Sequence, residues 1–137
     1  MGRVAELGSL GRARTTPMDS ATYREQTSRA DAFRRVTLTD TAAAVASTDA
    51  ALAQRVRALL EQSPIPKPER HGGGPDTDIF RVELPLATVE AIVEVLGAAE
   101  AGAVATNGTT TREASHFATL LDTWSRYRFQ LHETHAA

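Results

Sequence analysis

The sequence predicts a mainly helical α+β fold with three to four helices and two short β-strands, at about residues 35–39 and 79–84. Apolar residues recur at helical spacing in several segments, whereas two short stretches alternate as strands do. A stretch rich in proline and glycine separates two halves of the chain. With 137 residues, of which 42% are hydrophobic, the chain is long enough to fold around a core of its own.

The N-terminal part predicts a leader followed by a helix. Residues 1–18 have no apolar periodicity and are rich in glycine, arginine and threonine, which predicts a disordered basic leader. Met18 is an alternative start of the protein. Asp19 or Ser20 can cap a helix that runs to about Phe33, because a short polar side chain there accepts a bond from a free backbone amide.

Residues 19–62 are predicted to form a first half of helical and β-α character. Val36 and Leu38 alternate with threonines, and such β-branched stretches favour a strand at 35–39. The alanine-rich segment that follows carries apolar residues on one helical face. Ser47 or Thr48 is a candidate N-cap that would divide this segment into two helices.

Residues 63–78 are predicted to be a flexible linker, because four prolines and three glycines in these 16 positions interrupt both helix and sheet. The second half, residues 79–134, follows as strand, helix and helix, and the two halves together are expected to form one domain. Thr110 and Glu113 have the spacing of a capping box for the last helix, predicted at 111–132. Trp124 is expected to be its main core residue.

Composition narrows the function classes. The sequence has no cysteine, which excludes disulfides, thiol catalysis and cysteine-bound zinc. It contains neither a signal-peptide core nor an apolar run long enough to span a membrane, so a soluble cytoplasmic protein is expected. Arginine greatly outnumbers lysine, which we interpret as a sign of a GC-rich bacterial genome.

The segment "HGGGPDTD" at residues 71–78 resembles three kinds of functional loop: an oxyanion-hole loop, a phosphate-binding loop and a metal-binding loop. In esterases a His-Gly-Gly-Gly loop accompanies a G-x-S-x-G nucleophile motif, which is absent from this sequence. A phosphate-binding loop would end in Gly-Lys-Ser/Thr, whereas these glycines continue into Pro75. Asp76 and Asp78 lack the downstream glutamate of a calcium loop and are expected to shield the start of the strand.

The histidines and the paired glutamates also lack the arrangement that a metal site or an acid-base site needs. His132 and His135 are one residue too close for the H-E-x-x-H zinc motif. Glu90 and Glu94 could shift each other's pKa if desolvated, but the helical pattern places them away from the apolar face. The sequence therefore predicts no catalytic, cofactor-binding or metal-binding residue, and a protein that is not an enzyme.

The stretch "WSRYRF" at 124–129 mixes aromatic residues and arginines, as single-strand binders do. Helical spacing assigns most of these residues to the core or its edge and leaves Arg126 and Phe129 as an exposed pair. We predict that these two residues bind a partner.

From Phe80 onward, "FRVELP", an amphipathic helix, a turn and "TTREASHFATLL" resemble the ribbon-helix-helix DNA-binding module. The resemblance covers about 50 residues. It implies a dimer whose paired strands read the major groove, here through Arg81 and Glu83.

Charge weighs against nucleic acid as a partner. Residues 1–35 carry seven arginines and four acidic residues, a balance of +3, whereas the rest of the chain has a balance of −5. A protein region with a net negative charge repels the phosphate groups of nucleic acid. We therefore predict a non-enzymatic protein-interaction or regulatory module that binds an unknown protein or itself. The alternatives are a dimeric ribbon-helix-helix-like DNA-binding regulator and a small enzyme.

Overall fold

In the computed structural model, residues 19–68, 73–104, 107–108 and 111–136 are described. The predicted leader at 1–18 lies outside these ranges. Within them the fold is mainly helical α+β, as predicted, with five α-helices rather than three or four, and two strands. In chain order the elements are α1 Ser20–Thr27, β1 Ala32–Arg34, α2 Arg35–Ala46, α3 Ala50–Leu59, a 3₁₀ turn Pro75–Thr77, β2 Ile79–Arg81, α4 Leu86–Ala103 and α5 Arg112–Ala136.

Helix α1 begins at the predicted cap but is shorter than predicted. The carboxylate of Asp19 accepts a hydrogen bond from the Thr22 amide at 2.8 Å. The helix ends at Thr27, so the prediction that it runs to Phe33 was wrong. The chain then turns, and the Ala32 amide donates to the Arg29 carbonyl. Phe33 lies beyond this turn, in a strand.

The predicted strand at 35–39 was wrong: those residues form the first turns of α2, and the strand lies just before them at Ala32–Arg34. Leu38, Ala42 and Val45 are buried on one face of α2. Their spacing is that of a helix, and burial of this face outweighs the β propensity of the threonines between them.

The two strands pair within the chain. β1 runs antiparallel to β2, with Phe33 opposite Phe80. The flanking bonds run from the Arg35 amide to the Asp78 carbonyl and from the Val82 amide to the Asp31 carbonyl. The second strand lies inside the predicted range 79–84, and it pairs with β1 of the same chain.

Helices α2 and α3 are separate, as the Ser-Thr-Asp stretch predicted, but the cap is a different residue. Asp49 accepts a bond from the Leu52 amide at 3.0 Å, so neither Ser47 nor Thr48 is the cap. Its carboxylate reaches the first-turn amides because Asp49 directly precedes the first helical residue.

Helices α4 and α5 are the longest elements and pack against each other. The hydroxyl of Thr111 caps α5 by accepting a bond from the Ala114 amide at 3.0 Å, whereas the predicted capping residue Thr110 lies outside the described ranges. α5 extends beyond the predicted end at His132. No helix among the described residues has the length and apolarity to cross a membrane.

The core joins both halves of the chain around Trp124, whose side chain is fully buried. The Phe33 ring lies 4.5 Å from the Trp124 ring, between centroids, and 5.8 Å from that of Tyr127. The Trp124 indole N–H donates to the Thr41 hydroxyl at 2.9 Å. The burial prediction for Trp124 is confirmed.

Candidate functional site

The predicted pair Arg126 and Phe129 lies on the outer side of α5. Phe129 is 63% exposed, the largest fraction for any large hydrophobic side chain among the described residues. Arg126 is also exposed, but its Nη2 donates to the Ser28 carbonyl at 3.1 Å. That bond fixes the guanidinium between α5 and the end of α1, so Arg126 has a defined position on the surface.

A groove beside β1, here called the β1 groove, begins at Arg126. Its volume is about 430 Å³. The wall consists mainly of hydroxyl and cationic side chains, with Ala32, Phe33 and Ile79 as the apolar members. None of the described residues that line it is acidic; the polar members are Thr27, Ser28, Arg34, Thr37, Thr123 and Arg126.

Arg34 is the member of this groove that sequence reasoning missed. It is exposed, and its side chain makes no hydrogen bond or ion pair with another described residue. The next residue, Arg35, instead bonds through its guanidinium to the carboxylate of Asp78 at 3.0 Å. Two consecutive arginines at a strand-helix junction were the available signal, but the junction itself was placed wrongly.

The residues predicted to bind DNA do not lie on a free strand surface. Arg81 donates from Nη2 to the Gln26 amide oxygen at 2.8 Å, and its Nη1 lies 4.0 Å from the Asp31 carboxylate. The Arg81 carbonyl accepts a bond from Gln62 at 2.7 Å. Glu83 is exposed beyond the end of β2. The structure therefore does not bring Arg81 and Glu83 together as an outward pair on β2.

The connector at 63–78 contains a polar cluster around Asp78 and Lys67. The Asp78 carboxylate receives Lys67 Nζ at 2.8 Å and Arg35 Nη2 at 3.0 Å. The hydrogen bond from Lys67 and the nearby guanidinium of Arg35 lower the pKa of Asp78 below its usual value, although partial burial acts in the opposite direction. These contacts attach the described ends of the connector to the start of α2.

Within that connector, part of the "HGGG" motif is described and part is not. His71 and Gly72 lie outside the described ranges. Lys67 Nζ donates to the Gly74 carbonyl and to the Thr77 hydroxyl, both at 2.9 Å. Ile65 is buried and its amide donates to the Ile79 carbonyl at 2.8 Å. Within the described part of the motif, Gly74 is therefore bonded to Lys67, and Ile65 joins the connector to β2.

The candidate acid-base residues and His132 are exposed on the surface. Glu90 and Glu94 are both exposed. The sequence did not indicate that His132 Nε2 lies 3.3 Å from the Glu90 carboxylate, where both groups are about half exposed. Among the described residues, no three histidine or carboxylate side chains cluster as metal ligands would. Arg126, which lines the β1 groove, and the exposed Phe129 three residues further along α5 are therefore the strongest candidate site.

Comparisons with known proteins assign no family to the chain. No protein-family model, curated protein or solved structure matches it. A functional proposal must therefore depend on the chemistry of the described residues.

Proposed function

We propose that this protein is a non-enzymatic protein-interaction or regulatory module of the bacterial cytoplasm, whose partner contacts Arg126 and Phe129. The exposure of Phe129, at 63%, carries the proposal. A phenylalanine gains about 1.5–3 kcal/mol when fully buried, so a partner that covers the ring recovers free energy that folding leaves unused. Arg126 supports it, because arginines and aromatic residues dominate binding energy at protein interfaces.

The position of Arg126 adds to this support. Its bond to the Ser28 carbonyl holds the guanidinium in place before any partner arrives. A side chain that is ordered in advance loses less conformational entropy on binding. The partner is either another protein or a second copy of this chain.

DNA binding and catalysis have weaker support. Arg81 would have to leave Gln26 and Asp31 to contact a base, which costs a hydrogen bond and an ion pair. For catalysis, Glu90 and Glu94 lack the desolvation that tunes an acid-base group, because water reaches both. We therefore place protein interaction before either alternative.

Site-specific photo-crosslinking in cells tests the proposal. Phe129 is replaced by p-benzoylphenylalanine, and the matched control carries the same group at Val104, an exposed hydrophobic residue at the end of α4. We expect a discrete crosslinked species with the probe at 129 and none with the control. Its mass distinguishes a foreign partner from a second copy. Absence of any crosslink at 129, or equal crosslinking at both positions, would contradict the proposal.

A further inference from the structure

We propose that the β1 groove binds an extended, acidic segment of the partner, which adds a strand to β1 and places carboxylates on Arg34 and Arg126. The inference rests on the proposed function and names the chemistry of the partner. It depends on three properties of this region: a free backbone edge on β1, two guanidinium groups that no described carboxylate neutralises, and the exposed ring of Phe129 on the same helix as Arg126.

The free edge follows from the register of the sheet. Phe33 lies opposite Phe80, and the flanking bonds of Asp31 and Arg35 also run to β2. Because backbone groups alternate in direction along a strand, Ala32 and Arg34 direct theirs toward the other edge of β1. The Ala32 amide bonds to Arg29. Arg34 directly precedes α2 as its N-cap, so its carbonyl accepts the first bond of that helix. The groups left on this edge are the Ala32 carbonyl and the Arg34 amide, and no strand in the described part of the chain covers them.

The second property is charge. Among the described residues, Arg34 has no ion-pair partner and Arg126 bonds only to a backbone carbonyl. The described lining contains no carboxylate. Two guanidinium groups in a groove without acid attract anions, and guanidinium binds carboxylate through paired hydrogen bonds.

The third property is the position of Phe129. It follows Arg126 by three residues on α5, which places the two side chains on neighbouring turns of one helix face. An extended chain advances about 3.3 Å per residue, so a segment with its acidic residue on Arg126 can reach Phe129 within two or three residues. Strand addition with alternate side chains in pockets is a known mode of peptide recognition.

A protein segment fits these features better than nucleic acid. Strand addition uses backbone amides and carbonyls, which nucleic acids lack. Among the described residues, Phe129 makes no ring contact with another aromatic side chain, whereas single-strand binders stack successive bases on several aromatic rings. A phosphate chain is therefore the competing occupant in the experiment.

The experiment measures fluorescence polarisation of labelled probes with the full-length protein. The main probe is an octapeptide of alternating glutamate and valine. A peptide with lysine in place of glutamate tests charge, and an acidic peptide with alternate backbone nitrogens methylated tests strand pairing. A labelled dodecathymidylate tests nucleic acid.

We expect the acidic peptide to bind and both altered peptides to bind more weakly. Arg34→Glu should weaken the acidic peptide about tenfold, because the attraction becomes a repulsion near the protein surface. Arg57→Glu, the same charge change at an exposed position on α3, is the matched control and should change binding little. Since Arg34 makes no hydrogen bond or ion pair with another described side chain, the variant should keep its circular dichroism spectrum.

Three outcomes would overturn the inference: equal binding of the acidic and lysine peptides, equal weakening by the variants at positions 34 and 57, or tighter binding of the oligonucleotide than of the acidic peptide. Failure to bind the acidic peptide at millimolar concentration would also overturn it. If crosslinking at Phe129 still succeeds in any of these cases, the proposed function stands and only the acidic-segment assignment fails. If crosslinking fails as well, both the proposed function and the acidic-segment assignment are wrong.

Discussion

The α4–α5 pair and the connector at 63–78 keep their structures by different means. α4 and α5 bury apolar side chains such as Ile92, Leu96 and Trp124 in one core. The connector instead depends on Lys67 and Asp78, which form polar contacts near the surface, with Ile65 as its buried apolar residue. Apolar burial is strong and is insensitive to pH and to charge screening, whereas surface ion pairs are weak and depend on both. The two regions should therefore respond differently to mutation and to solvent.

The largest effect should come from Trp124→Ala. The substitution removes the largest fully buried side chain and leaves the Thr41 hydroxyl without its indole donor. We expect a loss of about 3–5 kcal/mol in the free energy of unfolding. Because Trp124 is the sole tryptophan, urea unfolding must be followed by circular dichroism. Phe129→Ala, on the exposed side of the same helix, should change stability by less than about 0.5 kcal/mol. Similar losses in the two variants would contradict the assignment of the core.

Tyr127→Phe should have an intermediate effect, because this side chain connects α5 to the segment after β2. The buried hydroxyl donates to the Val82 carbonyl at 2.9 Å and accepts from the Leu84 amide at 3.2 Å. Its removal leaves two backbone groups without that partner, which costs about 1–3 kcal/mol. Chemical denaturation measures the loss. An unchanged midpoint would mean that water replaces the hydroxyl at this position.

Asp78→Asn should produce a smaller loss that depends on pH. The folded-state pKa of Asp78 is lowered by Lys67 and Arg35. Its contribution is therefore fully present above the unfolded pKa, near 3.9, and is lost as pH falls through the lower folded value. We expect the variant to lose about 1 kcal/mol at neutral pH.

Unfolding of both proteins measured from pH 7 to pH 3 checks this prediction. The difference in stability between wild type and variant should stay constant above about pH 5 and narrow below it. It should also shrink in high salt. A difference that does not change with pH would show that the Asp78 charge contributes nothing to the connector.

An effect of about the same size as that of Asp78→Asn should distinguish two adjacent glycines. A Cβ at Gly73 would lie 2.7 Å from the Thr77 hydroxyl oxygen and 2.9 Å from its methyl carbon, so rotation of Thr77 does not relieve the contact. Gly73→Ala should cost about 1 kcal/mol. Gly74→Ala is the matched control, because nothing lies within 4 Å of its added carbon. Equal stability of the two variants would indicate that the connector adjusts freely, as a flexible linker would.

Sequence reasoning succeeded best where the pattern was local and long. The apolar spacing of α4 and α5 predicted both helices and the burial of Trp124. The alternation around Phe80 predicted β2. The position of β1 was predicted wrongly because a three-residue strand has little local signal and forms only when a partner strand is present.

The candidate site was predicted in part. The exposure of Phe129 follows from its angle on α5 relative to Trp124, which the sequence contains. The bond from Arg126 to Ser28 joins residues 98 positions apart, and no local pattern predicts it. Arg34 was missed because its place on the β1 groove depends on where the strand ends.

The sequence alone therefore determined the helices with long apolar faces, the fold class and the exposed aromatic on α5, because helical periodicity is a property of neighbouring residues. Only the tertiary structure decided the location of β1, the bonding of Lys67 and Arg35 to Asp78, and the meeting of Arg34 and Arg126 in one groove. Those features depend on contacts between residues that are distant in the chain. Such contacts form, and stabilise the structure, only when folding of the core brings the residues together.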